Sequence, residues 1–477
     1  MRVKGLLTAI ALLGCVLLFE SCRVEPTFNT DPNFRLEFSS DTIKFDTVFT
    51  SLGSTTFWLQ VHNRSNRDAD IQRIELMGGE SSPFRMSVSG DDDFVQHHVR
   101  LRANDSLRVF LTVTIDPDDR SNAFLEEDSI RFVVNNHLQH VILQAFGQNA
   151  HYHIPNGTME IFCPIANDTL LLPYSIAVPD DFANSEKPHV IFGFLRVPSD
   201  ETLVLNAGAR LHFAPNSGLI VEGNLQINGT HQDRVVFDGM RMDVAYRNIP
   251  GQWDRIWLSP GSVDNSIRWA IIQNGRIGLL VDSMPNLNQP LILENTVVNN
   301  MQFHGIFATN ARIIGTNLQV SNAGERLLAL IGGDYSFEHC TFANYFSAPN
   351  FVRRHPSVLL DSTSLHPVVR ADFRNSIIFG TLQNELEVRP SQTQNIAFLF
   401  CNIRTQIANN QMFQNSQIGN INPLFRVPSN VNSNFEVTEN SPVIGAGGPT
   451  NILWDLRNQP RPSSSPTMGA FEFTPDL

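Results

Sequence analysis

The stretch from Leu291 to Asn344 contains one short pattern three times. The copies read Asn295-Thr296-Val297-Val298-Asn299, Leu318-Gln319-Val320-Ser321-Asn322 and Cys340-Thr341-Phe342-Ala343-Asn344, so the final Asn recurs after 23 and then 22 residues. A fixed short period is typical of repeat proteins, in which each repeat packs on its neighbours. Looser copies lie at Ile271-Ile272-Gln273-Asn274, Ser376-Ile377-Ile378-Phe379-Gly380 and Cys401-Asn402-Ile403-Arg404-Thr405.

Short β-rich runs continue from His189 to the C-terminus without helical periodicity, for example Val190-Ile191-Phe192, Leu203-Val204-Leu205 and Leu219-Ile220-Val221. Three such runs in every 22 to 25 residues predict a coil of three strands stacked on the next coil. Residues 189–477 would then form a parallel β-helix of roughly a dozen coils. A leucine-rich repeat has a similar period, but it needs Leu at fixed positions where this chain has β-branched and aromatic residues.

The recurring asparagines Asn274, Asn299, Asn322 and Asn344 are interpreted as a structural ladder. At a tight corner Asn tolerates the left-handed backbone conformation, and its amide can bond to the equivalent residue of the next coil. A functional role for the four residues is the alternative.

The region before the repeats has a different pattern. Residues 34–149 alternate apolar and polar residues in about seven short runs, such as Phe57 to Asn63 and Leu107 to Val113, separated by turn residues. This pattern predicts an antiparallel β-sandwich. Residues 150–188 contain five prolines and are interpreted as a connector that includes the start of the second domain.

The N-terminus is predicted to be an export signal, because Arg2 and Lys4 precede an apolar run that is too short to span a membrane. Residues 1–22 would be a lipoprotein signal peptide whose Cys22 is lipidated, and residues 23–33 a polar tether. Cys15 also fits a lipidation site but leaves a very short apolar core. A plain secretory signal with an incidental Cys is the remaining alternative.

Composition narrows the classes of partner. The formal net charge is -13, and the only lysines are Lys4, Lys44 and Lys187. Binding to the phosphate backbone needs basic patches, so nucleic acid is not an expected partner. Three further cysteines, Cys163, Cys340 and Cys401, are expected to be buried and unbridged, because Cys340 and Cys401 would lie about 10 Å apart on one wall.

Two family resemblances carry these expectations further. The run Val61-His62-Asn63-Arg64-Ser65, with Ser82-Pro83-Phe84 and Leu143-Gln144-Ala145-Phe146-Gly147, resembles the Ig-like domains of the abnormal-spindle and hydin type. Such domains are usually spacers or binding modules. The resemblance therefore implies an Ig-like sandwich in residues 34–149.

The second part resembles the right-handed parallel β-helix proteins of the pectin-lyase-like group, and more closely surface lipoproteins common in Bacteroidota. The likeness rests on the repeat, on Gly218 to Leu225, on Pro250 to Leu258, and on the ending Asp455 to Arg461 with Met468 to Glu472. That ending is expected to cover the open last coil. Arg457 or Arg461 could pair with Glu472 there.

No constellation for catalysis stands out, so no catalytic residue, metal or cofactor is predicted. A lyase needs a base and often Ca²⁺, but the solenoid has no Lys and no acidic cluster, which leaves Arg370, Arg374 and Arg389 as the bases available. A glycosidase needs two carboxyl groups. Glu294 and Glu338 lie two coils apart, but their registers relative to Asn295 and Cys340 differ by one residue, which should point their side chains in different directions. His304 before Gly305 is interpreted as a turn residue.

For binding, the sequence clusters Tyr246, Trp253, Arg255 and Trp257. Aromatic faces stack on sugar rings, and alternation along the strand would turn Trp257 outward. A structural turn is the competing interpretation of this cluster. The acidic runs Asp91 to Asp93 and Glu126 to Asp128 are interpreted as solvated turns rather than a Ca²⁺ site.

The sequence thus predicts an all-β chain with an N-terminal Ig-like β-sandwich followed by a right-handed parallel β-helix. Its expected function is that of a non-catalytic lipoprotein, anchored to the outer membrane on its surface or periplasmic face, that binds a polysaccharide or a surface protein. The alternative is a polysaccharide lyase or glycoside hydrolase of the pectin-lyase-like class, which rests on fold analogy.

Overall fold

The computed structural model describes residues 27–163, 165–183, 186–284, 287–349, 351–389 and 395–475. The chain divides into two compact units, one comprising residues up to Asp118 together with Ala123–Gln148, the other comprising Asp119–Asn122 and everything from Asn149. Both are built from strands, and helix is limited to two 3-10 turns, Gly79–Ser81 and Pro179–Phe182, among the described residues. None of the described helices is long and apolar enough to cross a membrane. Cys15, Cys22 and residues 23–26 of the tether lie outside the described residues.

From residue 27 onward, the first unit is a sandwich of ten strands. These are β1 Glu37–Phe38, β2 Thr42–Phe49, β3 Phe57–His62, β4 Ala69–Leu76, β5 Phe84–Val88, β6 Asp91–Asp92, β7 Val95–Leu101, β8 Ser106–Val113, β9 Phe124–Val134 and β10 His137–Gln148. Sheet 1 has the order β1-β3-β8-β5-β6 and sheet 2 the order β2-β10-β9-β4-β7. Alternate residues of both sheets fill one apolar core. The pairing is antiparallel except between β2 and β10, which are parallel. The Ig-like type of the sandwich stays a prediction.

The described part of the second unit contains thirty-two strands. The first part comprises β11 His151–His153, β12 Gly157–Cys163, β13 Asp168–Ile176, β14 His189–Ile191, β15 Phe194–Val197, β16 Thr202–Asn206, β17 Arg210–Phe213, β18 Gly218–Val221, β19 Asn224–Asn228, β20 Val235–Gly239, β21 Trp253–Leu258, β22 Ser266–Arg268, β23 Ala270–Gln273, β24 Gly275–Val281, β25 Leu291–Glu294 and β26 Val297–Met301. The second part comprises β27 His304–Thr309, β28 Arg312–Thr316, β29 Gln319–Ala323, β30 Arg326–Ile331, β31 Gly333–Glu338, β32 Thr341–Asn344, β33 Val358–Asp361, β34 Val368–Arg374, β35 Ile377–Gly380, β36 Leu386–Val388, β37 Ile396–Leu399, β38 Asn402–Ile403, β39 Phe413–Gln414, β40 Gln417–Ile418, β41 Phe425–Val427 and β42 Asn434–Val437.

These strands form three long sheets, because every third strand pairs in parallel with its equivalent in the next coil. Sheet A runs β11-β14-β17-β20-β23-β26-β29-β32-β35-β38-β40, sheet B runs β12-β13-β15-β18-β21-β24-β27-β30-β33-β36, and sheet C runs β16-β19-β22-β25-β28-β31-β34-β37-β39. The predicted parallel β-helix is therefore confirmed, with nine to eleven strands in each sheet among the described residues. Its right-handedness stays a prediction.

The interior of the β-helix is a continuous apolar core in which aromatic rings stack from coil to coil. Phe337 and Phe373 have ring centroids 5.1 Å apart, Phe373 and Phe398 lie 4.9 Å apart, and Phe398 and Phe413 lie 5.5 Å apart. Cys340 and Cys401 are buried and free. Burial raises the pKa of the Cys401 thiol to about 12, so this thiol packs as a small apolar group.

Two columns of corner residues connect the sheets. Between sheets C and A the equivalent residues Trp269, Asn295, Asn317, His339, Asn375, Phe400 and Asn415 all have φ between +48° and +53°. Between sheets A and B the column contains Asn274, Asn300 and Asn322, with φ of +64°, +58° and +54°. Asn is favoured at such positions because it adopts the left-handed region at low cost.

The strand register corrects one member of the predicted asparagine ladder by one residue, from Asn299 to Asn300. Gln273 pairs with Asn299 and Asn299 with Ser321, so Asn300, not Asn299, is equivalent to Asn274 and Asn322. Nδ2 of Asn300 donates to Oδ1 of Asn274 over 2.7 Å. Asn299 is the outward residue of β26 next to that corner.

The fourth predicted member, Asn344, follows Asn322 in the same column. Its side chain bonds to the backbone N–H and carbonyl of Ala323 over 3.2 and 2.9 Å. The amide thus ties one coil to the next without the left-handed backbone of the other corner residues.

The C-terminal segment lies along the side of the β-helix, so the expectation that it covers the last coil needs correction. Asn375 exchanges hydrogen bonds with Gly448, Thr450 donates to Glu338, and the Trp454 carbonyl accepts from Asn317. The C-terminal segment packs there because the outer face of sheet A is apolar in the later coils. Residues Ala343, Ile377 and Phe379 pack against Phe425, Phe435, Val437, Val443 and Met468.

Buried ionic groups hold the C-terminal segment together. Asp455 is fully buried, and its carboxylate accepts backbone N–H groups from Arg457, Gln459 and Glu472. Of the two pairings considered for Glu472, Arg461 makes the side-chain pair, at 3.2 Å, and also donates to Asn317. Arg457 donates instead to the Glu472 backbone carbonyl.

Residues 150–188, interpreted from the sequence as a connector, contain β11 to β13. The hairpin β12–β13 is antiparallel, and β13 and β11 continue in parallel into β15 and β14. His153 and His189 are hydrogen-bonded over 3.0 Å, and both rings stack on Phe182. This segment therefore forms the first turn of the β-helix.

Replacing Arg461 with Ala is expected to destabilise the second unit by about 3–5 kcal/mol, because Glu472 would be left as an uncompensated buried charge. The measurement is the free energy of unfolding from urea titration. Arg268→Ala, which removes a half-exposed partner of Glu294, is the matched control and should cost less than about 1 kcal/mol. Equal effects of the two substitutions would contradict the role given to Arg461.

Stability should also fall in acid through His189, whose pKa is lowered by burial to about 3. The folded-state pKa lies below the ordinary value, so neutral His189 contributes fully above about pH 6.5 and its contribution is lost as the pH falls toward 3. The variant His189→Phe should flatten the dependence of the unfolding free energy on pH between 6.5 and 4, by up to about 1.4 kcal/mol per pH unit. His140→Phe, at an exposed position, is the control, and an unchanged slope in His189→Phe would contradict the assignment.

Candidate functional site

The sequence-predicted binding residues are separated by the fold. Trp253 is fully buried inside the β-helix, where its ring stacks on Phe213 with centroids 4.6 Å apart. Its indole Nε1 donates to the Gln273 carbonyl over 2.8 Å. The prediction that Trp253 contacts a glycan is wrong, because the register shift between Arg255 and Ile256 turns Trp253 into the core.

Trp257 points outward from sheet B, as the alternation predicts, but it is only 1% exposed. The hairpin β12–β13 covers it, with Cys163 and Phe194 in the same apolar cluster. Arg255 is held beside it by Asp254, at 2.9 Å, and donates to Sγ of Cys163 over 3.5 Å. Neither Trp257 nor Arg255 is available to a ligand in this arrangement.

Tyr246 is the exposed member of the predicted group. It lies in the loop between β20 and β21, where the Arg241 guanidinium carbon is 3.1 Å from its ring centroid. The loop, which we define as residues 240–252, is fixed to the A–B corner. Asn274 donates to the Arg247 carbonyl over 2.9 Å, and Asn300 donates to the Asn248 carbonyl over 2.8 Å.

The arginines considered as bases are all occupied by partners. Arg370 pairs with Asp334 at 2.9 Å, Arg389 with Asp361 and Glu387 at 2.8 Å each, and Arg374 lies 3.7 Å from Glu338. An arginine held in ion pairs stays protonated and is a poor base. In the described part of the chain, no group of three or more His, Cys, Asp or Glu is placed to hold a metal ion.

The remaining sequence candidates also have structural roles. Glu294 and Glu338 each pair with Thr316 in the register of sheet C, so they share one outward row, and the inference that they point differently is wrong. The reason is that Thr296, not Asn295, is equivalent to Cys340. His304 is buried, lies 3.2 Å from Glu325, and has its pKa lowered by burial to about 4.

Six outward-facing side chains lie side by side on sheet A where β20, β23 and β26 are adjacent, and we call this surface, together with the loop and corner residues beside it, the sheet A trough. We define its floor as Val236, Asp238, Ile271, Gln273, Val297 and Asn299, all outward-facing and half-buried. They form an apolar row of Val236, Ile271 and Val297 and a polar row of Asp238, Gln273 and Asn299. Three strands span about 10 Å from the first to the last.

The trough has aromatic residues at both edges. Tyr246, 38% exposed, lies in the loop at the A–B corner. At the C–A corner, Trp269 is half-buried beside Arg234, whose guanidinium carbon is 5.2 Å from the ring centroid. Trp454 lies along the same corner, because its carbonyl accepts a hydrogen bond from Asn317 and the Leu456 carbonyl accepts one from Arg234. The Trp454 side chain is 55% exposed.

The polar row combines a hydrogen-bonded carboxyl group with two amide groups, each of which keeps one atom without a hydrogen-bond partner among the described residues. Asp238 accepts hydrogen bonds from Gln273 and Asn274 over 2.7 Å each, and burial raises the pKa of this carboxyl. Oε1 of Gln273 and Nδ2 of Asn299 have no hydrogen-bond partner among the described residues. The row therefore offers both an acceptor and a donor to a ligand.

Comparisons with known proteins leave the family open. No protein-family model matches the sequence, and no curated protein matches it. One solved structure that matches is a family 123 glycoside hydrolase from Clostridium perfringens, with 9% identity over 25% of this chain and 24% of that chain and a TM-score of 0.18. A second is the catalytic unit of a thermostable GH87 α-1,3-glucanase from Streptomyces thermodiastaticus strain HF3-3, with 12% identity over 72% of each chain and a TM-score of 0.21. Likenesses this weak carry no argument about activity.

Sequence reasoning named one edge of the trough, Tyr246, and missed the floor. The signal was present in the alternation of Val235 to Gly239 and of Ala270 to Gln273, in which every second residue faces outward. The second edge could not be inferred, because Trp454 is separated from the floor by more than 150 residues of sequence.

The loop of residues 240–252 is expected to depend on the Asn274 amide. Asn274→Ala removes its bonds to Asp238 and the Arg247 carbonyl, so trypsin should cleave after Arg241 or Arg247 at least several-fold faster. Asn274→Gly is the control, because Gly adopts the left-handed backbone without strain and loses only the side-chain amide. If the amide anchors the loop, Asn274→Gly should be cleaved as fast as Asn274→Ala. Unchanged cleavage of both variants would contradict the anchoring role.

Proposed function

We propose that this chain is an exported carbohydrate-binding protein that holds an extended glycan in the sheet A trough. The proposal rests on the two parallel rows of side chains on the trough floor, of which one is apolar and the other polar. A pyranose ring has apolar C–H faces and polar hydroxyl edges, and consecutive rings present them repeatedly. The repeat of the floor comes from the strands themselves, about 4.8 Å apart.

The edges of the trough support the same class of ligand. Aromatic rings stack on the C–H faces of sugars, and Tyr246 with Trp454 supplies one exposed ring at each edge. The unpartnered Oε1 of Gln273 and Nδ2 of Asn299 would replace the water that solvates a sugar hydroxyl. A protein ligand would need a larger exposed apolar surface than these half-buried residues offer.

The location follows from the sequence expectation. Lipidation of Cys22, or of Cys15, would attach the chain to a membrane, and the proposal places it on the outer membrane, at the cell surface or in the periplasm. The membrane is then one partner and a polysaccharide or a glycosylated surface protein the other. A tethered binding protein would hold polymer close to the cell.

A second function, hydrolysis of the bound glycan, is favoured by Asp238. Its raised pKa is the property a general acid needs, and it lies on the floor of the trough. Asp243 in the adjoining loop is a second buried carboxyl group, 3.3 Å from Arg241. A glycosidase uses two carboxyl groups, one as acid and one as base or nucleophile.

One experiment decides between the two functions. The full chain is passed through affinity gels that each contain one neutral or uronate polysaccharide, and the same polymers are assayed for new reducing or unsaturated ends. Binding predicts retardation without product. Product formation that is lost in Asp238→Asn would favour hydrolysis, and neither retardation nor product would contradict both.

Tyr246→Ala and Trp454→Ala should each weaken the retention about fivefold, because each removes a stacked ring worth about 1 kcal/mol. Val352→Ala, at a position that is 75% exposed in another loop, is the matched control and should bind like the parent chain. Retention that is equal in all three variants would place the glycan elsewhere.

A further inference from the structure

The outer face of sheet 1 in the sandwich carries a straight row of side chains across four strands. Trp58 pairs with Phe110, Phe110 with Ser87, and Ser87 with Asp92. Each is an outward position on its strand, so the four side chains project from the same face. Trp58 is 55% exposed and Phe110 is 40% exposed.

Two adjacent aromatic side chains on an outer sheet face are unusual for a solvated surface. Trp58 and Phe110 are directly opposite in an antiparallel pair, which brings their Cβ atoms to about 5 Å. The Arg108 guanidinium carbon lies 5.9 Å from the Trp58 ring centroid. Both rings would cost less free energy if they were covered by an apolar surface.

A cavity of about 410 Å³ opens beside Phe110 on this face. Its lining includes Phe110, Thr56, Thr112, Arg85, Ser87 and Asp92. Thr56 precedes β3 and adjoins Thr112 in the register that pairs Phe57 with Leu111. The cavity is therefore continuous with the row of aromatic side chains.

The polar groups of this cavity are available to a ligand. The hydroxyl groups of Thr56, Ser87 and Thr112 and the carboxylate of Asp92 make no hydrogen bond or ion pair to any described residue. Polar groups without protein partners around an aromatic ring suit a ligand that has both hydroxyl groups and apolar faces.

Charge narrows the class of ligand. Asp92 is an exposed carboxylate with Asp93 beside it, and both line the cavity. Arg85 is engaged, because its Nη1 donates to the Phe84 carbonyl over 2.7 Å and its guanidinium carbon lies 5.2 Å from the Phe94 ring centroid. An anionic ligand would meet unpaired negative charge here, whereas neutral hydroxyl groups can donate to the carboxylate.

We infer that the sandwich is itself a carbohydrate-binding module, in which one unit of a neutral oligosaccharide enters the cavity against Phe110 and the next unit stacks on Trp58. This site is separate from the sheet A trough and does not depend on it. The free hydroxyl groups and Asp92 bind the sugar hydroxyls, and the two rings bind the C–H faces.

The test is isothermal titration of the full chain carrying Tyr246→Ala and Trp454→Ala, so that the trough contributes no stacking. The probes are neutral hexasaccharides of β-1,4-glucose, β-1,3-glucose, α-1,4-glucose and β-1,4-mannose, with hexagalacturonate as the anionic comparison. Binding of at least one neutral hexasaccharide is expected, at least tenfold tighter than binding of hexagalacturonate. Absence of neutral binding, or binding of hexagalacturonate alone, overturns the inference.

Two substitutions locate the site in that background. Trp58→Ala and the cavity-filling Ser87→Phe should each weaken binding at least tenfold, and thermal unfolding should be unchanged because both positions face outward. Leu138→Ala, 60% exposed on the other sheet, is the control and should bind normally. Binding that survives both Trp58→Ala and Ser87→Phe overturns the inference, and this result is independent of retention by the trough.

Discussion

The second unit depends on one constraint, the left-handed backbone conformation that recurs at the C–A corner of seven successive coils from Trp269 to Asn415. A chain that must turn between sheets and return at a constant spacing needs the same dihedral angles at equivalent residues. Seven residues of the C–A corner hold φ near +50°, and four of these are asparagines. The corners keep the strands in register, and the register decides which side chains point inward.

The register also explains why the outer faces differ along the β-helix. Over β20, β23 and β26 the outer face of sheet A carries one apolar and one polar row of side chains. Further along, where Ala343, Ile377 and Phe379 lie, the outer face is apolar. The C-terminal segment packs on the apolar part. Its buried groups Asp455 and Arg461 give it the fixed conformation that places Trp454 at the trough edge.

Much of the fold could be predicted from the sequence, because the repeat period and the β-rich runs are local patterns. The site was harder to predict, since it joins residues from a floor, a loop and a distant segment. Trp253 and Trp257 illustrate the limit. Alternation from Ile256 and Leu258 correctly turns Trp257 outward, but it would also turn Trp253 outward, and the register shift between Arg255 and Ile256 places Trp253 inside instead. The hairpin that buries Trp257 comes from a segment about ninety residues earlier, interpreted as a connector.

The position of Asn299 illustrates a different limit. A pattern aligned by its last residue placed Asn299 with Asn322, whereas hydrogen bonding between strands places Asn300 there. A slip of one residue moves a side chain from the corner to the outer face. Asn299 thereby joins the polar row of the trough, while its Oδ1 still accepts hydrogen bonds from Ser321 and Asn322 of the next coil.

We expect a glycan to lie along the sheet A trough, and a crystal structure of the full chain with a retained oligosaccharide tests this most directly. Sugar rings are expected over Ile271 and Val297 and between Tyr246 and Trp454, with sugar hydroxyl groups bonded to Gln273 or Asn299. Sugar bound at another face of the β-helix, with the trough filled only by water, would contradict this placement.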